Sequence, residues 1–309
     1  MISVGLPPLD DLFQLPNIVN EILMAYVQFC YDQELPVSRA TFTLAGVQFK
    51  WPSLRYNLTA SWRVLKKWQE LMPPVIRTPV PEVVMRAIVA TAVALGWPSF
   101  GLLVWLAFHA LLRPGEVCAL RRGHLRLTCD CGSDQVGVVA LTTSKTSTRS
   151  ARIQSVMITD VWLLGLLNAY FGNWPALSPL CSGGSAAFSR RFLACLDRLG
   201  LKNRFMPAGL RGGGAVHHFE IYENLGSLQF RGRWEAPRTL LHYLQQGMAT
   251  TSFLGIHPVV RCKVESMAAL AMTLLEGAVA AERPRRPPPA GEFFESISEA
   301  SVSDEGGTE

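Results

Sequence analysis

The stretch FGLLVWLAFHALLRPGE, residues 100–116, is apolar as far as Leu112 and then changes character within four positions: Arg113, Pro114, Gly115, Glu116. Proline is favoured at the first position of a helix, where its missing N–H costs nothing, so Arg113 is expected at a helix start. Glu116, three residues on, is then within reach to orient the guanidinium. Upstream, the uncharged run from Ala87 to Leu112 exceeds the roughly 20 residues that a bilayer-spanning helix needs. Gly96, Trp97, Pro98 and Ser99 cut it into two pieces of core-helix size. Two buried helices are expected there, and no membrane span.

Working outward, chemistry-bearing side chains recur at wide intervals. Lys145 falls between two strand-like runs, Val136 to Thr143 and Ile153 to Ile158, joined by a polar stretch from Ser144 to Ser150, which reads as the tip of a hairpin. Arg211 opens the segment Leu210, Arg211, Gly212, Gly213, Gly214, Ala215, whose glycines allow close backbone packing. Trp234 follows Arg211 by 23 positions in the segment Gly232, Arg233, Trp234. Tyr243 follows Trp234 by 9, inside the apolar helical run Leu240, Leu241, His242, Tyr243, Leu244.

The order and spacing of Arg113, Lys145, Arg211, Trp234 and Tyr243 resemble the tyrosine recombinase (phage integrase) family, over roughly residues 82 to 280. The specificity lies in the combination, since each member alone is an ordinary residue. The resemblance implies cleavage and rejoining of DNA strands through a 3′-phosphotyrosyl intermediate. A phenol, with a pKa of about 10, is a poor nucleophile at neutral pH, and an anionic phosphodiester repels attack unless its charge is neutralised. Arg113 and Arg211 would hold the non-bridging oxygens, each guanidinium donating parallel hydrogen bonds while staying charged. Lys145 would protonate the departing 5′ oxygen, Trp234 would donate its indole N–H, Tyr243 would attack, and Glu116 would support Arg113. The chemistry requires no metal, no nucleotide cofactor and no small-molecule substrate. The family usually carries histidine three positions before the second arginine; this chain has Ala208 there, with His217 and His218 six and seven residues after Arg211. A lost acid/base group of that kind costs about 10²- to 10⁴-fold in rate.

The implied fold is mainly α with a small antiparallel sheet, in four stretches. Residues 1–72 are expected to form a helical DNA clamp like the family's core-binding domain, with apolar faces Ile18, Ile22, Leu23, Tyr26, Val27 and Leu58, Trp62, Leu65, Trp68. Residues 73–81, rich in proline, read as a linker. Residues 82–281 would be the catalytic domain, its sheet lying between His124 and Ile158. Its late helix, Val259 to Ala280, either docks on a neighbouring protomer on DNA or closes its own core. Residues 282–309, with Gly, Ser and acids, read as a disordered tail.

Charge agrees with a polyanionic partner. The chain has 309 residues, 49% hydrophobic and 17% charged, with net charge +5. The tail carries seven acids against three arginines, so the body holds 26 basic against 17 acidic side chains, or +9. Arg39, Lys50, Arg55, Arg63, Lys66 and Lys67 interleave with Trp51, Tyr56, Trp62 and Trp68, and double-stranded DNA is the expected partner. Seven scattered cysteines suggest free thiols in a reducing compartment, nuclear or cytoplasmic. Cys129, Cys131 and His124 fall short of the four ligands a structural zinc wants, so no metal is expected. Three other readings stay open: a catalytically silent, DNA-binding remnant of a mobile element, a type IB topoisomerase, and a helical interaction module.

Overall fold

In a computed structural model the chain divides into two units, 1–76 and 77–309, and residues 13–72, 78–132, 136–141, 154–244 and 246–281 are described. The first unit is helical. Helix α1 (Pro16–Asp32), α2 (Val37–Lys50) and α3 (Thr59–Leu71) pack together, with a 3₁₀ turn, Pro52–Tyr56, between the last two. The buried stripe of α1 is Val19, Leu23, Val27, Cys30, spaced as one face of a 3.6-residue period. Ile18 and Ile22, expected in the core, are 40% and 39% exposed, because the inward stripe lies one residue further along. On α3, Leu65 and Trp68 are buried as expected. Ser61 ties that helix to α1 by donating its hydroxyl to the Asn20 carbonyl at 2.9 Å and its backbone N–H to the Asn20 side chain at 3.0 Å.

The second unit is built on two apolar helices, α4 (Glu82–Ala94) and α5 (Pro98–His109). Between them Gly96, at φ 77°, makes the left-handed turn that an L side chain would resist. Ten residues of α5, Pro98 and then Phe100 to Phe108, are buried, which is why the run reads as membrane-like yet belongs to a protein core. Among the described residues one helix, Pro258–Ala281, is long and apolar enough to cross a bilayer. It lies along α4 of its own chain and buries Val264, Ala268, Ala271, Leu275 and Val279, so it contributes to its own core.

The sheet has three antiparallel strands in sequence order: β1 (Leu125–Arg126), β2 (Gly137–Leu141) and β3 (Gln154–Ile158). Strands β2 and β3 pair from Gly137 opposite Ile158 to Leu141 opposite Gln154, the hairpin expected from the alternating runs. Its tip, 142–153, lies outside the described residues and takes Lys145 with it. In the turn before β1, buried Arg122 bonds to Asp130 at 2.9 Å and to the Phe171 carbonyl at 2.8 Å.

Three helices carry the site: α6 (Pro114–Ala119), α9 (Gly209–Tyr222) and α11 (Pro237–Tyr243). Between α6 and α9 come α7 (Val161–Phe171) and α8 (Gly184–Leu199), and between α9 and α11 comes α10 (Leu225–Gly232). The glycines of α9 do what a glycine run is expected to do. A Cβ at Gly213 would run into the Val80 carbonyl, and one at Gly214 into the Phe108 carbonyl, so α9 lies directly against the backbone of two other segments. This moves one boundary. Residues 78–81 read as the end of a linker, but Val80 is fully buried and its N–H donates to the Gly209 carbonyl at 3.0 Å; the contact is between backbones, which proline-rich composition does not reveal. Residues 73–77 and 282–309 lie outside the described residues.

Candidate functional site

Arg113 caps α6 in extended conformation, φ −73° and ψ 150°, with Pro114 at the first helical position. Its backbone N–H donates to Glu116 Oε2 at 2.8 Å and its side-chain NH1 to Oε1 at 2.7 Å. Glu116 is 4% exposed and faces further guanidiniums: it accepts from Arg233 NH2 at 2.9 Å through Oε2, and Arg211 NH1 lies 3.7 Å from the same oxygen, an ion pair without a hydrogen bond. Residues 113, 211 and 233, spread over 120 positions of sequence (233 − 113), therefore share one buried carboxylate.

Arg211 is held from two sides. NH1 donates to the Leu111 carbonyl at 2.8 Å, and NH2 to the Gly232 carbonyl. Leu111 sits at φ 52°, a conformation a leucine rarely adopts, and the turn presents its carbonyl to both Arg211 and Arg233. The Arg211 guanidinium carbon lies 4.8 Å from the Trp234 ring centre and 5.7 Å from that of Tyr243, and the two rings are 5.2 Å apart. A small core of Leu111, Ala215, Leu228, Trp234 and Leu240 holds this arrangement, with Tyr243 half-buried at its edge. Tyr243 is the last residue of α11, and Leu240, one turn earlier, anchors that helix in the core.

Three guanidiniums against one carboxylate leave a local charge of +2. Burial works to raise the Glu116 carboxyl, but Arg233, the Arg113 backbone N–H, Arg211 and Arg113 together outweigh it and hold the group below the usual carboxylate range. Burial lowers Arg211 to about 9, helped by Arg113 and Arg233 and opposed by Glu116. Arg211 Nε, Arg233 Nε, Arg233 NH1 and Trp234 Nε1 are buried with no hydrogen-bond partner. A buried donor left unmet costs about 1 to 3 kcal/mol, and four on three neighbouring side chains form a site rich in donors and short of acceptors. An anion whose oxygens only accept suits it.

Of the residues expected in the site, Arg113, Glu116, Arg211, Trp234 and Tyr243 come together. Lys145 lies outside the described residues. Ala208 is the half-buried residue preceding α9 and offers no side-chain donor. His217 and His218 do not join the cluster. They line a pocket of about 130 Å³ with Trp105, Phe108, His109 and Arg231. There Arg231 NH2 and the Thr159 backbone N–H both lie against His109 Nε2, at 2.8 and 3.3 Å. Two donors on one ring nitrogen require it to be the acceptor, so His109 is a neutral imidazole protonated at Nδ1. Burial, with Arg231 second, lowers its pKa to about 4.

Arg233 was not among the residues expected in the site. It stands at φ 58° at the end of α10, a position that glycine usually fills. Gly232 is needed one residue earlier, where a Cβ would overlap the Trp234 ring. The left-handed turn swings Arg233 inward, and sequence carries no signal of it beyond an arginine beside a glycine.

Cys129 Sγ lies 3.2 Å from Arg122 NH2, and His124 Nδ1 accepts from the Arg121 backbone N–H at 3.1 Å. Among the described residues no group of three or more His, Cys, Asp or Glu is placed to hold a metal. In the first unit Arg39, Lys50, Arg55, Arg63, Lys66 and Lys67 are all exposed, with Lys50 Nζ 4.5 Å above the Trp51 ring centre.

No protein-family model and no curated protein matches the chain. Among solved structures it is similar to the XerH site-specific recombinase bound to difH substrate in a pre-cleavage complex, at 13% identity and TM-score 0.42, over 65% of this chain and 65% of that one. It is also similar to XerH bound to palindromic difH substrate in a post-cleavage complex, at 12% identity and TM-score 0.44, over 77% and 71% of the two chains. A third similar structure is the XerA recombinase, at 14% identity and TM-score 0.44, over 86% and 91%.

Proposed function

We propose that the chain binds duplex DNA and breaks and rejoins one strand at a phosphodiester, with Tyr243 as nucleophile. The observation that carries this reading is the gathering of Arg113, Arg211, Trp234 and Tyr243 around Glu116, with buried donors left unmet. Guanidiniums held in advance cost no reorganisation when a pentacovalent phosphate gathers charge. The Tyr243 oxygen attacks phosphorus and its proton passes to solvent. The bond from phosphorus to the 5′ oxygen breaks, Lys145 protonates that oxygen, and the 3′-phosphotyrosyl bond conserves the energy for religation. Reversal of the same steps rejoins the strand. The exposed basic side chains of the first unit would hold the duplex by its phosphates.

A silent, DNA-binding descendant is the second reading, favoured by one specific observation: Ala208 supplies no acid/base group, and His217 and His218 line a different pocket. Incubation with nicked suicide duplexes, followed by denaturing electrophoresis, separates the two. Protein trapped on DNA, and absent for Tyr243→Phe, is the result expected of the enzyme. DNA binding with no trapped species for the unaltered chain would leave the silent reading in place.

A further inference from the structure

We propose that Arg233 is a third phosphate-contacting guanidinium of this site, acting beside Arg211 and Trp234 rather than serving only as a structural counter-ion to Glu116. The inference rests on the phosphoryl-transfer reading above and adds to it a residue that the five-residue spacing does not include.

Three observations converge on it. The first is backbone conformation. Arg233 holds φ 58° and ψ 43°, a region where a side chain crowds its own backbone and which persists in non-glycine residues where the surroundings demand it, often at functional sites. A glycine there would be free of that strain but would place no cation in the site.

The second is how the guanidinium is used. NH2 alone makes bonds, to Glu116 Oε2 at 2.9 Å and the Leu111 carbonyl at 3.3 Å, while Nε and NH1 are buried and unmet. A counter-ion to Glu116 has no use for those two nitrogens, whereas an anion's oxygens supply what they lack. By contrast Arg211 already uses one N–H of each terminal nitrogen on the Leu111 and Gly232 carbonyls. Only one of its nitrogens, Nε, is wholly unpartnered, against two for Arg233.

The third is charge. Glu116 already has Arg113 at 2.7 Å and Arg211 at 3.7 Å. A third cation on the same carboxylate, with its side chain 7% exposed, is in excess of what one negative charge can balance, and buried excess charge is unfavourable unless a ligand compensates it. A phosphate diester, with one negative charge and two non-bridging oxygens, takes up half of that excess.

The test uses the full chain and inorganic phosphate as probe, with sodium chloride at matched ionic strength as control. Wild type should show a saturable phosphate-dependent rise in melting temperature. Arg233→Gly, which removes the guanidinium and relaxes the backbone, should melt at a similar temperature without phosphate but bind it at least ten-fold more weakly. Arg233→Lys, which keeps charge but loses the planar donors, should fall between. If Arg233→Gly binds phosphate as tightly as wild type while Arg113→Ala does not, the anion site stands and the role of Arg233 is overturned. If wild type shows no saturable response, the proposal falls together with the phosphate reading of the whole site. Should Arg233→Gly fail to fold, Arg233→Lys decides alone: affinity equal to wild type overturns the proposal, and a loss of three-fold or more supports it.

Discussion

Each arginine of the site meets a different mixture of requirements. Arg113 is partly exposed and held by Glu116 alone, so it can follow a ligand. Arg211 is 2% exposed and bonded to two carbonyls, so its placement is settled by folding. Position 208 lies half-buried just before the helix that carries Arg211, and histidine there would add a donor without removing any group. Ala208→His should raise covalent complex formation by about ten-fold or more, since one restored donor in an anion site is worth about 2.7 to 4 kcal/mol before a discount for imperfect geometry. Equal, measurable yields from both proteins in the suicide-duplex assay would mean that another group already does this work. His109 offers a pH test away from the chemistry. Its folded pKa of about 4 lies below the ordinary 6.5, so the unfolded chain binds the extra proton first. The stabilisation is complete above about pH 6.5 and is lost as the pH falls toward 4, by up to about 3 kcal/mol. Denaturant titrations across that range should show the slope for wild type and a flatter one for His109→Gln, which keeps an acceptor but does not titrate.

At the scale of elements, α9 depends on what its glycines lack. Gly213→Ala would set a Cβ against the Val80 carbonyl, a backbone atom that cannot rotate away as a side-chain end can. Overpacking of this kind costs about 3 kcal/mol. In a unit of this size that corresponds to about 6 to 12 °C in melting temperature; an unchanged melt for Gly213→Ala would show that α9 can shift. Much at this scale was legible in the sequence. Gly96 to Ser99 part α4 from α5 because a left-handed glycine and a proline end one helix and begin the next, and the alternation in 137–141 and 154–158 is a strand signal whatever lies between. What was not legible depends on tertiary geometry. The stripe of α1 is one residue away from the Ile18 and Ile22 face, since both faces are apolar and only the partner helices choose between them. Val80 looked like linker because its contacts are backbone to backbone. Arg233 was hidden because a positive φ in an arginine leaves no mark on local composition, whereas Arg113 and Glu116 could be paired from three-residue spacing alone.

For the whole molecule, the basic side chains should make association with DNA strongly dependent on salt, each neutralised phosphate contributing about −0.9 to the slope of log affinity against log salt. Replacing Lys66 or Lys67 by alanine should weaken binding to unrelated duplexes alike and reduce that slope by about 1. Fluorescence anisotropy between 50 and 200 mM salt reads both, and an unchanged slope would remove these residues from the interface. Deleting 282–309, which carries four net negative charges, should tighten DNA binding modestly and leave the melting temperature where it was.

The double bonding of Arg211 also bears on how chains of this kind change under drift. A descendant that no longer cuts DNA still has to fold, and folding alone would keep Arg211, the carbonyls of Leu111 and Gly232, and the glycines of α9 under selection. Tyr243, half-buried at the end of a short helix, is under no such constraint, and a lineage released from catalysis can lose its hydroxyl at little cost to the core. Across a set of diverged copies, then, an intact arginine records only that the chain is still being folded. Retention of the phenol at the end of α11, compared with retention of Arg211, would separate selection for use from selection for folding.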